Sequence, residues 1–266
     1  MAGQHMTSIL ESPMPTLAVV SPKGGNGKTT IAVNLAMALT RHAPTILVDL
    51  DVHFGDVEYA LRLHPVHRLD KVIEKFQDNP MADLEILLTP HPSGITAMCS
   101  PNNPVTADGI NVQNCFEVVD KLLEFGRPMV IDTAAGISEY TIGAIERSTH
   151  TILVSGTDVA SVQAGRKLLD TMTQFSMGTE NVRLVVNRSN TRCGLTVSDV
   201  EAVLGMTAAF EVPEHVSIAA ATNDGSPITE SSVDSPISQL FYDFVGEIMG
   251  VPRAPKKSFW FLRGHK

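Results

Sequence analysis

Cysteine is scarce in this chain. Cys99, Cys115 and Cys193 are the three thiols among 266 residues, and they form no C-x-x-C pair. That excludes a disulfide framework or a zinc knuckle and fits a reducing cytoplasm. Aromatic residues are thin as well, at 5%, with a single tryptophan. No run of about 18 apolar residues occurs, so no segment reads as a membrane-spanning helix. Positive charge is in deficit: 20 Lys and Arg face 29 Asp and Glu, a formal charge of −9. Such a balance argues against coating nucleic acid through bulk charge. Internal repeats and low-complexity tracts are missing. His53, His64, His67 and His91 stand at no zinc-ligand spacing. The first six residues, MAGQHM, lack the basic and apolar regions of a signal peptide. They read as an expression scar, residues 1–6, and the domain is expected to start at Thr7.

Apolar residues, by contrast, make up 43% of the chain, enough for a sizeable core. They come in short runs that alternate with helical patterns, the signature of a parallel α/β fold. Leu17–Val20, Thr45–Asp49, Met129–Asp132, Thr151–Val154 and Val182–Val186 read as strands. Their unbroken hydrophobicity implies helices on both faces of a mostly parallel twisted sheet. Helices are expected over Thr29–Arg41, Ile137–Arg147, Ser161–Gln174 and Leu195–Leu204, with another near Leu69–Phe76 and a further strand at Ile95–Cys99. One domain covers residues 7–251, followed by a different tail, residues 252–266.

Between the first strand and the first helix lies Ser21-Pro22-Lys23-Gly24-Gly25-Asn26-Gly27-Lys28-Thr29-Thr30. Glycines here let backbone N–H groups converge on phosphate oxygens, and the helix N-terminus adds partial positive charge. Lys28 would reach the β- and γ-phosphates, Thr29 would ligate Mg2+, and Thr30 would bond the α-phosphate. Pro22 stands where the general G-x-x-x-x-G-K-[ST] motif needs glycine. Acidic residues close two strands, Asp49-Leu50-Asp51 and Asp132-Thr133-Ala134-Ala135-Gly136, at the end where open α/β sheets bind ligands. Strand alternation puts Asp49 and Asp51 on one side, where both would face a Mg2+–water cluster. For Asp49 alone, a turn former or helix cap is an equal reading. Asn187-Arg188 closes a later strand. Asn carries a donor and an acceptor for a base edge and Arg a plane that stacks, although an isolated Asn there is a turn residue.

Lys23-Gly24-Gly25-Asn26-Gly27-Lys28-Thr29-Thr30 resembles the deviant Walker A motif of the MinD/ParA ATPases, and the resemblance runs from Leu17 to Met249. It implies a P-loop NTPase fold, ATP and ADP as nucleotides, and Mg2+ held by Thr29, Asp51 and Asp132. It further implies that Lys23 reaches the partner's phosphates in a nucleotide-sandwich homodimer, with Asp51 placing the attacking water. Asp132 matches the Walker B acid and Gly136 the glycine that senses the γ-phosphate. Asn187 and Arg188 match the adenine-recognising pair, and Pro213-Glu214 the loop that closes the base pocket. Residues 49–57 and 187–195 resemble the CpaE/TadZ branch, which serves type IV pilus systems.

The tail holds Phe259, Trp260 and Phe261 among five basic residues and no acid, so it suits an anionic membrane surface, a protein partner or packing on the body. The expected role is a cytoplasmic ATPase that hydrolyses slowly and positions a pilus or secretion machine at a membrane or cell pole. Two other readings stand: a ParA-type partitioning ATPase that binds DNA, for which Arg183, Arg188 and Arg192 are the nearest basic group, and a non-hydrolysing adaptor.

Overall fold

The computed structural model describes residues 14–192 and 194–251. The expected scar, the aromatic tail and Cys193 lie outside them. Eight strands form one sheet: β1 (Thr16–Val20), β2 (Thr45–Leu50), β3 (Thr89–Pro90), β4 (Ile95–Met98), β5 (Met129–Thr133), β6 (His150–Ser155), β7 (Val182–Asn187) and β8 (Ala208–Val212). Their order is β3-β4-β2-β5-β1-β6-β7-β8. All neighbours are parallel except β3, which runs antiparallel to β4.

The helices are α1 (Lys28–Leu39), α2 (Val57–Ala60), α3 (Leu69–Asp78), α4 (Pro104–Asp108), α5 (Val112–Leu123), α6 (Glu139–Arg147), α7 (Val159–Gln174), α8 (Val197–Leu204), α9 (Val216–Asn223), α10 (Ile228–Ser231) and α11 (Pro236–Ile248). They cover both faces of the sheet, so the expected fold class holds. Alternation along β1 shows the two cores directly: Leu17 and Val19 pack on one side, Ala18 and Val20 on the other. Helix α1 is buried almost all round, because α11 covers the side that the sheet does not. Strand β8 and helices α5 and α11 escape the hydrophobic-run reading. β8 is an edge strand with Glu211 exposed between Phe210 and Val212.

Strand β1 sits between β5 and β6 and connects past β5 to β2, whereas β5 connects past β1 to β6, so the crossovers of these neighbours run in opposite directions from β1. The crevice at its C-terminal end is therefore a topological switch point, the place where such sheets bind ligands. The loop 21–27 lies there.

Cys99 and Cys115 are both core thiols, and burial pushes each up to about 12. Met172 is buried and Met177 packs against the same core.

Candidate functional site

Helix α1 begins without a side-chain cap: its N-cap residue is Gly27, at φ 82°, and no acid occupies its first turn. The first-turn N–H groups thus face the crevice with their positive end uncompensated. Gly25 shares the left-handed conformation, so two glycines shape a concave run of backbone that few side chains would tolerate. A Cβ on Gly27 would also lie 2.4 Å from Asn187 Nδ2.

Other contacts hold the loop from beneath. Asn26 is buried; its Nδ2 donates to Ser21 Oγ at 2.8 Å and its Oδ1 accepts from Ser161 Oγ at 2.9 Å. Asn187 Nδ2 donates to the Asn26 carbonyl at 2.8 Å. The side chain of Asn26 is thus spent inward on the fold. Asn187 therefore braces the loop 21–27, a role that its sequence position did not suggest. Its Oδ1 accepts from the N–H of Arg188, whose φ of 55° is rare for a residue with a side chain.

Gly24, Gly25, Gly27, Lys28, Thr29 and Asp51 share a crevice of about 450 Å³, and Thr30 lies at its inner end. A second cavity of about 280 Å³ is walled by Asn187, Arg188, Pro213 and Glu214, and on α9 by Ile218 and Thr222. Gly27, Thr30 and Thr222 line both, so the two form one continuous cleft. The glycine loop and Lys28 lie at one end, and Asn187 and Arg188 at the other. His215, Ile218, Ala219 and Thr222 are wall residues that the sequence reading missed, because only the fold sets them around one cavity with Gly27 and Thr30.

The acidic groups divide by role. Thr29 Oγ1 donates to Asp132 Oδ2 at 2.6 Å, while Asp132 Oδ1 is buried and without a hydrogen-bond partner. A buried carboxylate oxygen left bare is what a cation or its water would satisfy. Among the described residues no cluster of three or more His, Cys, Asp or Glu could hold a metal alone. Mg2+ asks for less: one or two carboxylates, a hydroxyl, water and the phosphates of its nucleotide. Thr29, Asp51 and Asp132 fit that demand.

Asp49 is turned elsewhere. Its Oδ1 accepts from Asp51 N–H at 3.1 Å and its Oδ2 from Val57 N–H at 3.3 Å, so it ties down the loop 51–57 and does not line the cleft. The turn-forming reading of Asp49 describes its contacts; the shared-face reading fails because β2 ends at Leu50 and alternation stops there. Asp51 lies past that end, half-buried, with Oδ1 accepting from Phe54 N–H at 3.3 Å.

Burial pushes Asp132 up to about 7, against the opposing pull of Thr29 and Lys28. Burial and the Asp132 charge likewise raise Asp49. Native Asp132 therefore holds a proton that the unfolded chain releases, and stability falls as pH rises from the ordinary carboxylate range to about 7. Without nucleotide or divalent ions, the melting temperature is expected to drop across that window. Asp132→Asn should shrink the drop, and an unchanged pH slope in that variant would refute the assignment.

Lys23 sits at the loop tip with Nζ 2.7 Å from Asp158 Oδ1. Burial opposes ionisation of Asp158, but hydrogen bonds from Lys23 and Ser161 hold its carboxyl at about 2. Gly136, at φ 100°, donates its N–H to the Ser21 carbonyl at 3.4 Å and so links the loop after β5 to the phosphate loop. Arg183 is the second residue of β7 and Arg188 follows its end, so these two stand roughly 16 Å apart along the strand.

A family model described as the CobQ/CobB/MinD/ParA nucleotide binding domain matches residues 17–228. The chain is 27% identical over 238 residues to an uncharacterized ATP-binding protein of Methanocaldococcus jannaschii, covering 88% of this chain and 87% of that one. In fold it is similar to a ParA family ATPase from Chlorobium tepidum, with a TM-score of 0.80 and 19% identity over 88% of this chain and 98% of that one. It is also similar to the septum site-determining protein MinD of Pyrococcus horikoshii, solved with Mg-ADP, at a TM-score of 0.77 and 20% identity over 88% and 96% of the two chains.

Proposed function

The chain belongs to the CobQ/CobB/MinD/ParA family of nucleotide-binding domains, and from that premise we propose that it is a Mg-ATP-dependent ATPase that dimerises across its nucleotide and acts as a spatial organiser. The observation that carries this reading is the continuous cleft, with a glycine cradle and Lys28 at one end and the Asn187-Arg188 pocket at the other. Phosphoryl transfer asks a protein mainly for positioning and charge neutralisation. In this reading Gly24, Gly25, Gly27, Lys28 and Thr30 hold the phosphates, and Asp51 at the mouth orients the attacking water. Mg2+, when bound by Thr29 and the two acids, supplies charge neutralisation at the β- and γ-phosphates. Gly136 reports the γ-phosphate to the loop after β5. Asn187, Arg188, Pro213 and Glu214 surround the adenine.

A second copy is favoured by the rim of the cleft. Phe54, Ile137, Val159 and Val216 each stand four residues past the end of a parallel strand, and each is exposed. Four apolar side chains on the edge that carries the phosphate loop suit a face-to-face homodimer. Lys23 would then leave Asp158 for the partner's phosphates. That exchange is cheap, because an ion pair this exposed is worth about 0–1 kcal/mol.

Within the family we assign the chain to the CpaE/TadZ branch on residues 49–57 and 187–195, with a pilus or secretion machine as cargo. Phe259, Trp260 and Phe261 with their basic neighbours give the proposed contact to an anionic membrane at the cytoplasmic face or pole. No helix among the described residues is long and apolar enough to cross a membrane. DNA is the less favoured partner, given the acidic body and the separated arginines.

Sizing of Asp51→Ala with and without ATP tests the sandwich: a species of twice the monomer mass is expected with ATP and the monomer without it. A monomer under both conditions would overturn dimerisation. Sedimentation with anionic liposomes and with DNA, with and without the last 14 residues, separates the two surfaces.

A further inference from the structure

The nucleotide-base end of the cleft lies at one edge of the sheet. β8 is the edge strand, and its register with β7 ends at Asn187 opposite Val212. Beyond that point no strand ladder holds Pro213 and Glu214 in place, although they wall the pocket. One side chain continues the ladder. Asn190 Oδ1 accepts from Glu214 N–H at 2.7 Å, and Asn190 Nδ2 donates to the Glu214 carbonyl at 3.3 Å. A carboxamide has the donor and acceptor of a peptide group, so it pairs with a backbone as a neighbouring strand would.

The turn that presents this amide is itself fixed. Thr191 donates both its N–H and its Oγ1 to the Arg188 carbonyl, and Ser189 N–H donates to Val212. On the far side of Glu214, His215 caps α9 by accepting from Ser217 N–H. The chain of contacts therefore runs from β7 through Asn190 to Glu214, then through the cap to the helix that carries Ile218 and Thr222.

We propose that Asn190 is a positioning residue for base recognition: its two-point clasp on Glu214 sets the width of the base pocket, and thereby the preference for a nucleoside triphosphate over bare triphosphate. This rests on the reading of the cleft as an ATP site. Only Thr222 of α9 is shared with the phosphate end, and the glycine loop itself uses none of these contacts, so loosening the clasp should cost chiefly the affinity that the base contributes.

The test is competition of MgATP and Mg-tripolyphosphate against a fluorescent ATP analogue, on wild type, Asn190→Ala and Asn190→Asp. Loosening the wall that these two bonds hold points to a rise of roughly tenfold in the ATP dissociation constant for Asn190→Ala. Tripolyphosphate should bind as to wild type. Asn190→Asp keeps the acceptor for Glu214 N–H and should fall between. Equal loss for ATP and tripolyphosphate, or no loss for either, overturns the proposal. Wild type that binds tripolyphosphate as tightly as ATP overturns the base pocket, and wild type that binds neither overturns the ATP reading beneath it.

Discussion

Lys28→Ala is expected to lower ATP turnover by about 10²–10³-fold, the cost of removing a charge aimed at the developing negative charge of a transition state. The reason lies in where the residue sits. Lys28 is the first residue of α1 and is buried, at 8% exposure, yet it lines the crevice beside the glycine loop. It therefore acts through a low-dielectric surrounding, where a charge is worth more than in water. Its influence on the neighbouring acids is already visible, since it pulls both Asp51 and Asp132 down against the burial that raises them. Without it both carboxyls would hold protons more tightly, just where Mg2+ needs them ionised. Lys28→Arg should not restore activity, because a planar fork does not replace a point charge in a cradle shaped by glycine backbone. Steady-state phosphate release checks this, with the melting curve as the control for folding. Turnover indistinguishable from wild type would remove the enzymatic reading altogether.

Much of this site was legible in the residues, for a physical reason. A phosphate cradle is built from one continuous segment, so its glycines, lysines and hydroxyls must appear in order between a strand and a helix. Parallel strands covered on both faces likewise leave unbroken apolar runs, and β1, β2, β5, β6 and β7 could be read from them. What escaped depends on contacts between distant segments. β8 is short and half-polar because it is an edge, so its pattern is diluted. The cavity wall on α9 exists only because the fold sets that helix around the same space as Gly27 and Thr30. Asn190 carries no signal alone; its meaning comes from Glu214, 24 residues away, at the end of another strand. Asp49 and Asp51 show the subtler failure. Alternation is a property of strand backbone, and it stops at Leu50, one residue before the acid whose direction mattered.

That same turn yields the second large effect. Gly55→Ala is expected to lower ATP turnover about a hundredfold and to destabilise the fold by about 1–3 kcal/mol, the usual cost of forcing atoms into filled space. A Cβ at position 55 would lie 2.1 Å from Ser100 Oγ and 2.3 Å from Asp49 Oδ2. Neither neighbour retreats freely. Asp49 is buried and holds the N–H groups of Asp51 and Val57, so moving its carboxylate releases both ends of the loop 51–57. Moving the loop instead carries Asp51 away from the cleft, and a misplacement of about 1 Å in a catalytic group can itself cost about a hundredfold. Either route separates Asp51 from the phosphate end while Gly24, Gly25, Lys28 and Thr29 stay in place. Nucleotide should therefore still bind, and the loss should fall on turnover. Ser100→Ala removes the nearer contact, so the double variant should recover part of both stability and turnover, a coupling that a double-mutant cycle reads directly. Additive losses would mean that the two residues do not share this space, and wild-type turnover in Gly55→Ala would show that the loop needs no such anchor.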